Sequence, residues 1–262
     1  YQGLFGCINY AVIKNIHIVD CSITGARCIG ALVGAVYGAT ITGCSASGTV
    51  TGTKDSVGGI AGYAGGRIEA SFSTCNVSGE RTIGGVAGYA SYYGKYVQNC
   101  WSSGSVSATG HSAGGIVGSN ANGVIVRYCY STASVSAPTY AGGIVGRAYA
   151  PVEHCAALNQ SVSGSSSASH ITTGSSQNCY AWDGMTGVSA SMQEGVTPII
   201  VTNETLDHQL SKIFGPSAVW TYADNMLPGF GTAYDLPDYM TANKTNTIII
   251  DSAEDLNALT VG

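Results

Sequence analysis

One spacing constrains this chain more than any other feature. A four- or five-residue block ending in glycine recurs as Gly3-Leu4-Phe5-Gly6, Ala31-Leu32-Val33-Gly34, Gly59-Ile60-Ala61-Gly62, Gly85-Val86-Ala87-Gly88, Gly115-Ile116-Val117-Gly118 and Gly143-Ile144-Val145-Gly146, with a degraded copy ending at Gly174. The final glycines are 26 to 30 residues apart. So constant a period means one structural unit stacked on itself, because a unit this small cannot bury its own apolar face.

A second block lies inside each period. It reads Ile41-Thr-Gly-Cys44-Ser-Ala-Ser-Gly48-Thr-Val50, Ile68-Glu-Ala-Ser71-Phe-Ser-Thr-Cys75-Asn-Val77, Val97-Gln-Asn-Cys100-Trp-Ser-Ser-Gly104-Ser-Val106 and Val126-Arg-Tyr-Cys129-Tyr-Ser-Thr-Ala133-Ser-Val135. Alternation here has period two, the mark of a strand. The valines point inward, so Cys44, Cys100, Cys129, Cys155 and Cys179 do too. The small residues between them (Ala46, Ser73, Ser102, Ser131) predict a narrow interior at that level. Trp101 and its equivalents take the opposite face. Glycines at the corners are expected to supply unusual φ values. No part of the repeat region sustains a 3.6-residue period, which excludes helical solenoids.

Composition agrees. Charged residues are only 10 % of the 262, with 37 glycines and 6 prolines. Disordered chains have more charge and less apolar content. A formal charge of −5 argues against a nucleic-acid surface. No apolar run is long enough to span a bilayer, and no secretory signal stands at Tyr1, where the chain starts in mid-pattern. Nine cysteines without a C-x-x-C pair leave the redox compartment undetermined.

These residues resemble the repeats of the GLUG motif family, approximately G-G-[IL]-V-G, a short turn, then I-x-N-C-[YW]-S-[ST]-G-x-V-[ST]-G. Gly115 to Gly118 followed by Cys129-Tyr130-Ser131 and Val135-Ser136 is a close match. So is Gly85 to Gly88 followed by Asn99-Cys100-Trp101-Ser102-Ser103-Gly104. The resemblance covers residues 1 to about 187. It implies a parallel β-helix in large secreted or surface-attached bacterial proteins, including regions beside immunoglobulin-A-cleaving metallopeptidase modules, and it brings no catalytic residues with it. Ser71 in the cysteine row and Ala156 in the aromatic row depart from the pattern.

The expected fold is therefore all-β: a parallel β-helix of about seven coils over residues 1–187, with a small C-terminal α/β cap segment over 188–244. Leu206, Leu210, Ile213 and Phe214 fall on one helical face, with Thr202 or Asn203 able to cap its start and Gly215-Pro216 its end. Val219 to Tyr222 reads as a strand. Residues 245–262, with Thr247-Ile-Ile-Ile250, read as the start of a following module.

Chemistry is sparse. Gly110-His111-Ser112-Ala113-Gly114 matches the G-x-S-x-G nucleophile elbow, but that elbow joins a strand to a helix, whereas the same slot in neighbouring units is a repeat junction. Glycoside hydrolysis needs paired carboxylates. Between Ile29 and His170 the acids are Asp55, Glu69, Glu80 and Glu153, of which Asp55 and Glu80 occupy nearly equivalent turns. The cysteine row lacks the converging geometry of a zinc site and reads as buried free thiols. His154 is expected to face outward. No cofactor, metal or catalytic residue is assigned.

The functional expectation is a non-catalytic structural or adhesive region of a secreted or surface-attached bacterial protein, extracellular or at the cell surface. It would partner a host or bacterial cell-surface glycan or protein and neighbouring modules of a longer chain. The alternatives are a glycan-binding module using an outward aromatic ladder, a polysaccharide-degrading β-helix enzyme and, more weakly, an ice-binding solenoid. The candidate binding surface is the ladder Phe72, Trp101 and Tyr130, with a second patch of Tyr63, Tyr89, Tyr92 and Tyr93 beside Tyr37 in the turns after the glycine blocks. The competing reading of the ladder is structural: the rings stack for strand stability, or residues 188–262 fold back over them.

Overall fold

The structure, a computed structural model, describes residues 1–92, 94–188, 196–199, 206–215 and 219–241. Each period lays down three strand segments, and equivalent segments of successive coils stack in parallel into three sheets. The first sheet carries the residues leading into each glycine block: Ile29–Gly30, Asp55–Gly58, Arg81–Gly84, Ser112–Gly114, Tyr140–Gly142 and Ser167–Ser169. The second leaves the block, as in Val33–Thr42, Ala61–Glu69 and Ala87–Ala90. The third carries the cysteine block, from His17–Gly25 through Phe72–Gly79 to Cys179–Trp182, and Val196–Ile199 adds a last strand.

Register follows the sequence rows. Val33, Ala61, Ala87, Val117 and Val145 are successive partners in the second sheet. Val50, Val77, Val106, Val135 and Val162 are partners in the third. All are buried. Leu32, Ile60, Val86, Ile116 and Ile144, in mid-block, form another interior row. Their amides pass hydrogen bonds from coil to coil, as in Ile60 N–H to the Val86 carbonyl at 2.9 Å. Each such side chain contributes about 1.5–3 kcal/mol by burial, realised only because neighbouring coils cover it.

The coil count differs from expectation. The first sheet has six strands, giving six turns rather than about seven. Residues 1–25 pair in the second and third sheets but give the first only an isolated bridge, Gln2 to Ile29.

The glycines divide into two kinds: Gly38, Gly43, Gly48, Gly104 and Gly123 take the positive φ expected at corners. The block glycines do not adopt positive φ; they permit close approach. A Cβ on Gly59 would sit 2.0 Å from Ser73 Oγ and 2.2 Å from the Gly85 carbonyl, and one on Gly62 would sit 2.2 Å from the Ile29 nitrogen. Here the first sheet presses on the small row of the third, which is the narrow level of the interior. The left-handed corners between the second and third sheets belong to Gly43, Ala70, Asn99, Tyr128, His154 and Asn178, with φ between 45° and 62°. The thiol that follows the corner donates to the carbonyl two residues back: Cys100 to Gln98 at 3.2 Å, Cys129 to Arg127 at 3.1 Å, Cys155 to Glu153 at 3.2 Å. Ser71 makes the same bond to Glu69 at 2.8 Å, which explains how serine fits the row.

After the solenoid, helix α1 (Leu206–Phe214) buries Leu206, Leu210, Ile213 and Phe214, and Gly215 ends it at φ 68°. Of Val219 to Tyr222, only Thr221 forms a bridge, to Gly229. Met226–Leu227 pairs antiparallel with Tyr234–Asp235, and a short helix α2 spans Asp238–Thr241. Residues 202, 203 and 216, the proposed helix boundaries, lie outside the described residues, as does 245–262. Among the described residues no helix is long and apolar enough to cross a membrane.

Candidate functional site

The ladder forms in register: Phe72 pairs with Trp101 and Trp101 with Tyr130. The rings stack nearly flat, with centroids 4.4 Å and 5.7 Å apart. Its outer face, however, is covered. The C-terminal segment lies over it, with Tyr234 4.7 Å from Trp101, Phe230 6.2 Å from Phe72 and Trp220 5.7 Å from Tyr130. Tyr130 Oη donates to the Pro228 carbonyl at 2.7 Å. Trp101 is 5 % exposed and Tyr130 0 %. Burial pushes the Tyr130 phenol well above its usual pKa. These three rings hold the C-terminal segment on the solenoid, so the candidate surface reduces to the tyrosines.

Of those tyrosines, Tyr63 and Tyr89 lie on strands of the second sheet, as Tyr37 does, while Tyr92 stands in the bend that follows, as expected. Tyr63 and Tyr89 pair directly. Their rings are 6.0 Å apart, Tyr37 lies 5.3 Å from Tyr63, and Tyr92 meets both Tyr37 and Tyr63 edge-on. Tyr92 is 52 % exposed. Tyr93 lies outside the described residues.

The column holding Tyr63 and Tyr89 is the residue just after each block's final glycine, and it continues as Ser119 and Arg147. Ser119 supplies no ring, so an open groove of about 390 Å³ forms there. It is lined by Tyr89, Ser119, Arg147 and Tyr149 on one side and by Asp55, Ser56, Arg81, Thr82 and His111 on the other. The sequence reading missed this charged half. Asp55 faces Arg81 in the first sheet, and the next coil, in register at Ile83 and Ala113, brings His111 to the same groove. Arg27 and Arg81 reach the Asp55 carboxylate at 3.5 and 3.8 Å. Thus Arg81, not Glu80, stands opposite Asp55, and the two acids are one residue out of phase. Arg147 lies over the Tyr140 and Tyr149 rings at 4.9 and 4.7 Å. Asn120, fully buried, fixes this wall by accepting the Tyr149 amide at 3.1 Å and donating to the Val124 carbonyl at 3.0 Å. Burial, then the Arg147 and Arg81 charges, hold the His111 pKa below its usual value.

Other features of the sequence take structural places. Ser112 is fully buried within a first-sheet strand. His154 stacks on Tyr128 at 5.2 Å rather than standing free. The cysteines are unpaired, and the row from Cys44 to Cys179 is buried. Burial pushes the thiols of Cys44, Cys100 and Cys155 up. Among the described residues no group of three or more His, Cys, Asp or Glu side chains is placed to hold a metal.

Comparison with known proteins bears on the fold. The model of the GLUG motif matches residues 25–51, which includes the first complete coil's block and cysteine strand. The crystal structure of a "putative immunoglobulin A1 protease" from Bacteroides ovatus superposes with a TM-score of 0.62 at 22 % identity, covering 88 % of this chain and 80 % of that one. At that identity the likeness is one of fold. Among curated proteins no sequence match was found.

Proposed function

We propose that this chain is a non-catalytic scaffold and adhesive segment of a secreted or surface-attached bacterial protein, whose second sheet presents the tyrosine strip and adjoining groove to a cell-surface glycan or protein. The groove carries this reading. It is the place where exposed rings, arginines and a concavity coincide, and a volume of about 390 Å³ lies within the roughly 300–1,000 Å³ usual for ligand sites. Exposed tyrosine and arginine are favoured interface residues.

The positions that catalysis would use favour the same reading. The Asp55 carboxylate is bracketed by Arg27 and Arg81, and among the described residues no second carboxylate lines the groove, whereas glycoside hydrolysis uses two. Ser112 Oγ is buried and its strand leads into another strand, not a helix. The test is a binding screen of the whole chain on glycan arrays and bacterial and host cells, with reducing-end release and fluorophosphonate labelling followed in parallel. Saturable binding, weakened by Tyr63→Ala or Tyr92→Ala without cleavage of the ligand, is the expected result. Turnover lost on Asp55→Asn, or labelling lost on Ser112→Ala, would replace this reading with an enzymatic one.

A further inference from the structure

Resting on that reading, we infer that the groove beyond Tyr89 is an anion subsite, and that the ligand of the tyrosine strip is an acidic saccharide whose carboxylate or sulfate is held by Arg147 with Arg81. Three of the chain's five arginines, Arg27, Arg81 and Arg147, gather around this one groove in a protein of net charge −5. They do not play the same part. Arg27 and Arg81 share Asp55. Among the described residues, Arg147 has no carboxylate within ion-pair distance. Its charge is met by ring faces alone, those of Tyr140 and Tyr149.

That arrangement is suited to an anion. A guanidinium stacked on rings keeps its in-plane N–H groups free, and these form the flat fork that matches carboxylate and sulfate oxygens. The stacking fixes the side chain beforehand, which lowers the entropy lost on binding. Tyr149 is in turn held by its amide bond to buried Asn120. His111, edge-on to Tyr140 at 5.1 Å, has its pKa lowered by burial and by both arginines, so near neutral pH it offers a hydrogen bond without adding a charge to the subsite.

The saccharide part follows from the column. Tyr63, Tyr89, Ser119 and Arg147 occupy successive rungs. Three rung spacings place Arg147 roughly 14 Å from Tyr63. A short oligosaccharide can therefore lie on the tyrosines while an acidic residue enters the gap at Ser119. An acidic protein would gain the charge contact and could also pack on the tyrosines, and it is the outcome that the test below separates from a saccharide.

The experiment is calorimetric titration of the whole chain with hexagalacturonate, a heparin hexasaccharide and neutral cellohexaose, at low and high salt. One or both acidic ligands should bind at least about tenfold more tightly than the neutral one, the preference fading as salt screens it. Arg147→Gln should remove about tenfold in affinity for the acidic ligand, the loss of one charge-assisted contact, and leave cellohexaose unchanged. Arg81→Gln, whose partner Asp55 keeps Arg27, is the second variant, and thermal unfolding confirms that both fold. Carboxylate and sulfate are separated by which acidic ligand responds. Equal binding of all three ligands, unaffected by Arg147→Gln, would overturn the anion subsite while leaving an adhesive glycan surface standing. Adhesion to cells with no response to any of the saccharides, or only through a surface protein, would overturn the acidic saccharide but not adhesion. No adhesion of any kind would overturn both.

Discussion

Replacing Trp101 with alanine separates a structural role for the aromatic ladder from a binding role. The ring lies flat between Phe72 and Tyr130, under Tyr234, with 5 % of the residue exposed. A tryptophan this deep removes about 200 Å² from water, which at about 25 cal/mol/Å² is worth ~5 kcal/mol. Partial burial in the unfolded chain lowers that, so the expected loss is about 3–5 kcal/mol, in the range of other buried Trp→Ala changes. The loss should be local to the cover. In urea, with unfolding followed by fluorescence and by far-ultraviolet circular dichroism, α1 and residues 219–241 should release before the β signal changes. Trypsin or chymotrypsin should cut there first. Tyr234→Ala, combined with Trp101→Ala in a double-mutant cycle, should show a coupling of about 0.5–1.5 kcal/mol. A Trp101→Ala loss below about 1 kcal/mol with no coupling to Tyr234 would refute the claim that the ladder anchors the C-terminal segment.

Alkylation of the native protein should modify Cys7 quickly and Cys21 and Cys28 more slowly, leaving the six buried thiols until denaturation; intact mass reads the count, and rapid native labelling of Cys100 or Cys129, or a disulfide between them, would contradict it. Gly59→Ala should cost about 1–3 kcal/mol or more in urea unfolding, because its methyl would meet the Gly85 backbone at 2.2 Å; an unchanged midpoint would show that the coils are not packed this closely. His111 and His170 have pKa values lowered below 6.5, the first by burial and the arginines and the second by burial. The unfolded chain therefore takes up protons first, so their contribution is intact above pH 6.5 and is lost as pH falls through and below it. The urea midpoint should drop on acidification, and His170→Gln should flatten that slope; an identical slope in the variant would remove His170 as its source.

The repeat made the solenoid legible because one period governs every row. Val50, Val77, Val106 and Val135 each stand six residues after the cysteine-row residue (Cys44, Ser71, Cys100, Cys129), so the register of this strand can be read from the sequence alone. The cysteine row was legible for the same reason. What was less legible is what the period does not control. Residues 188–244 share no repeat, so the sequence allows both an exposed ladder and one covered by the C-terminal region, and the packing of Tyr234 and Pro228 decides for the cover. Pairing Asp55 with Glu80 matches acids rather than positions: seven residues before Gly62 and Gly88 stand Asp55 and Arg81, which the main-chain register sets together. The groove was hidden because it arises from an interruption: Ser119 and Arg147 break a tyrosine column, and a search for regular rings passes over the gap. A comparison of the residue after each final glycine would have found it.

The first coil is covered on one side only among the described residues. Its strands Phe5–Asn9, Val12–Lys14 and His17–Gly25 pair with the following coil, while Tyr1, Leu4, Phe5, Tyr10, Val12 and Val19 stand exposed. Exposed apolar side chains beside half-paired main chain form a template that accepts further strands. A partner for this coil is therefore itself a strand or a coil. Amide exchange over Phe5–Asn9 and His17–Gly25 should slow when one is supplied, and Val12→Lys or Val19→Lys should weaken that contact without touching the rows that hold the six turns together.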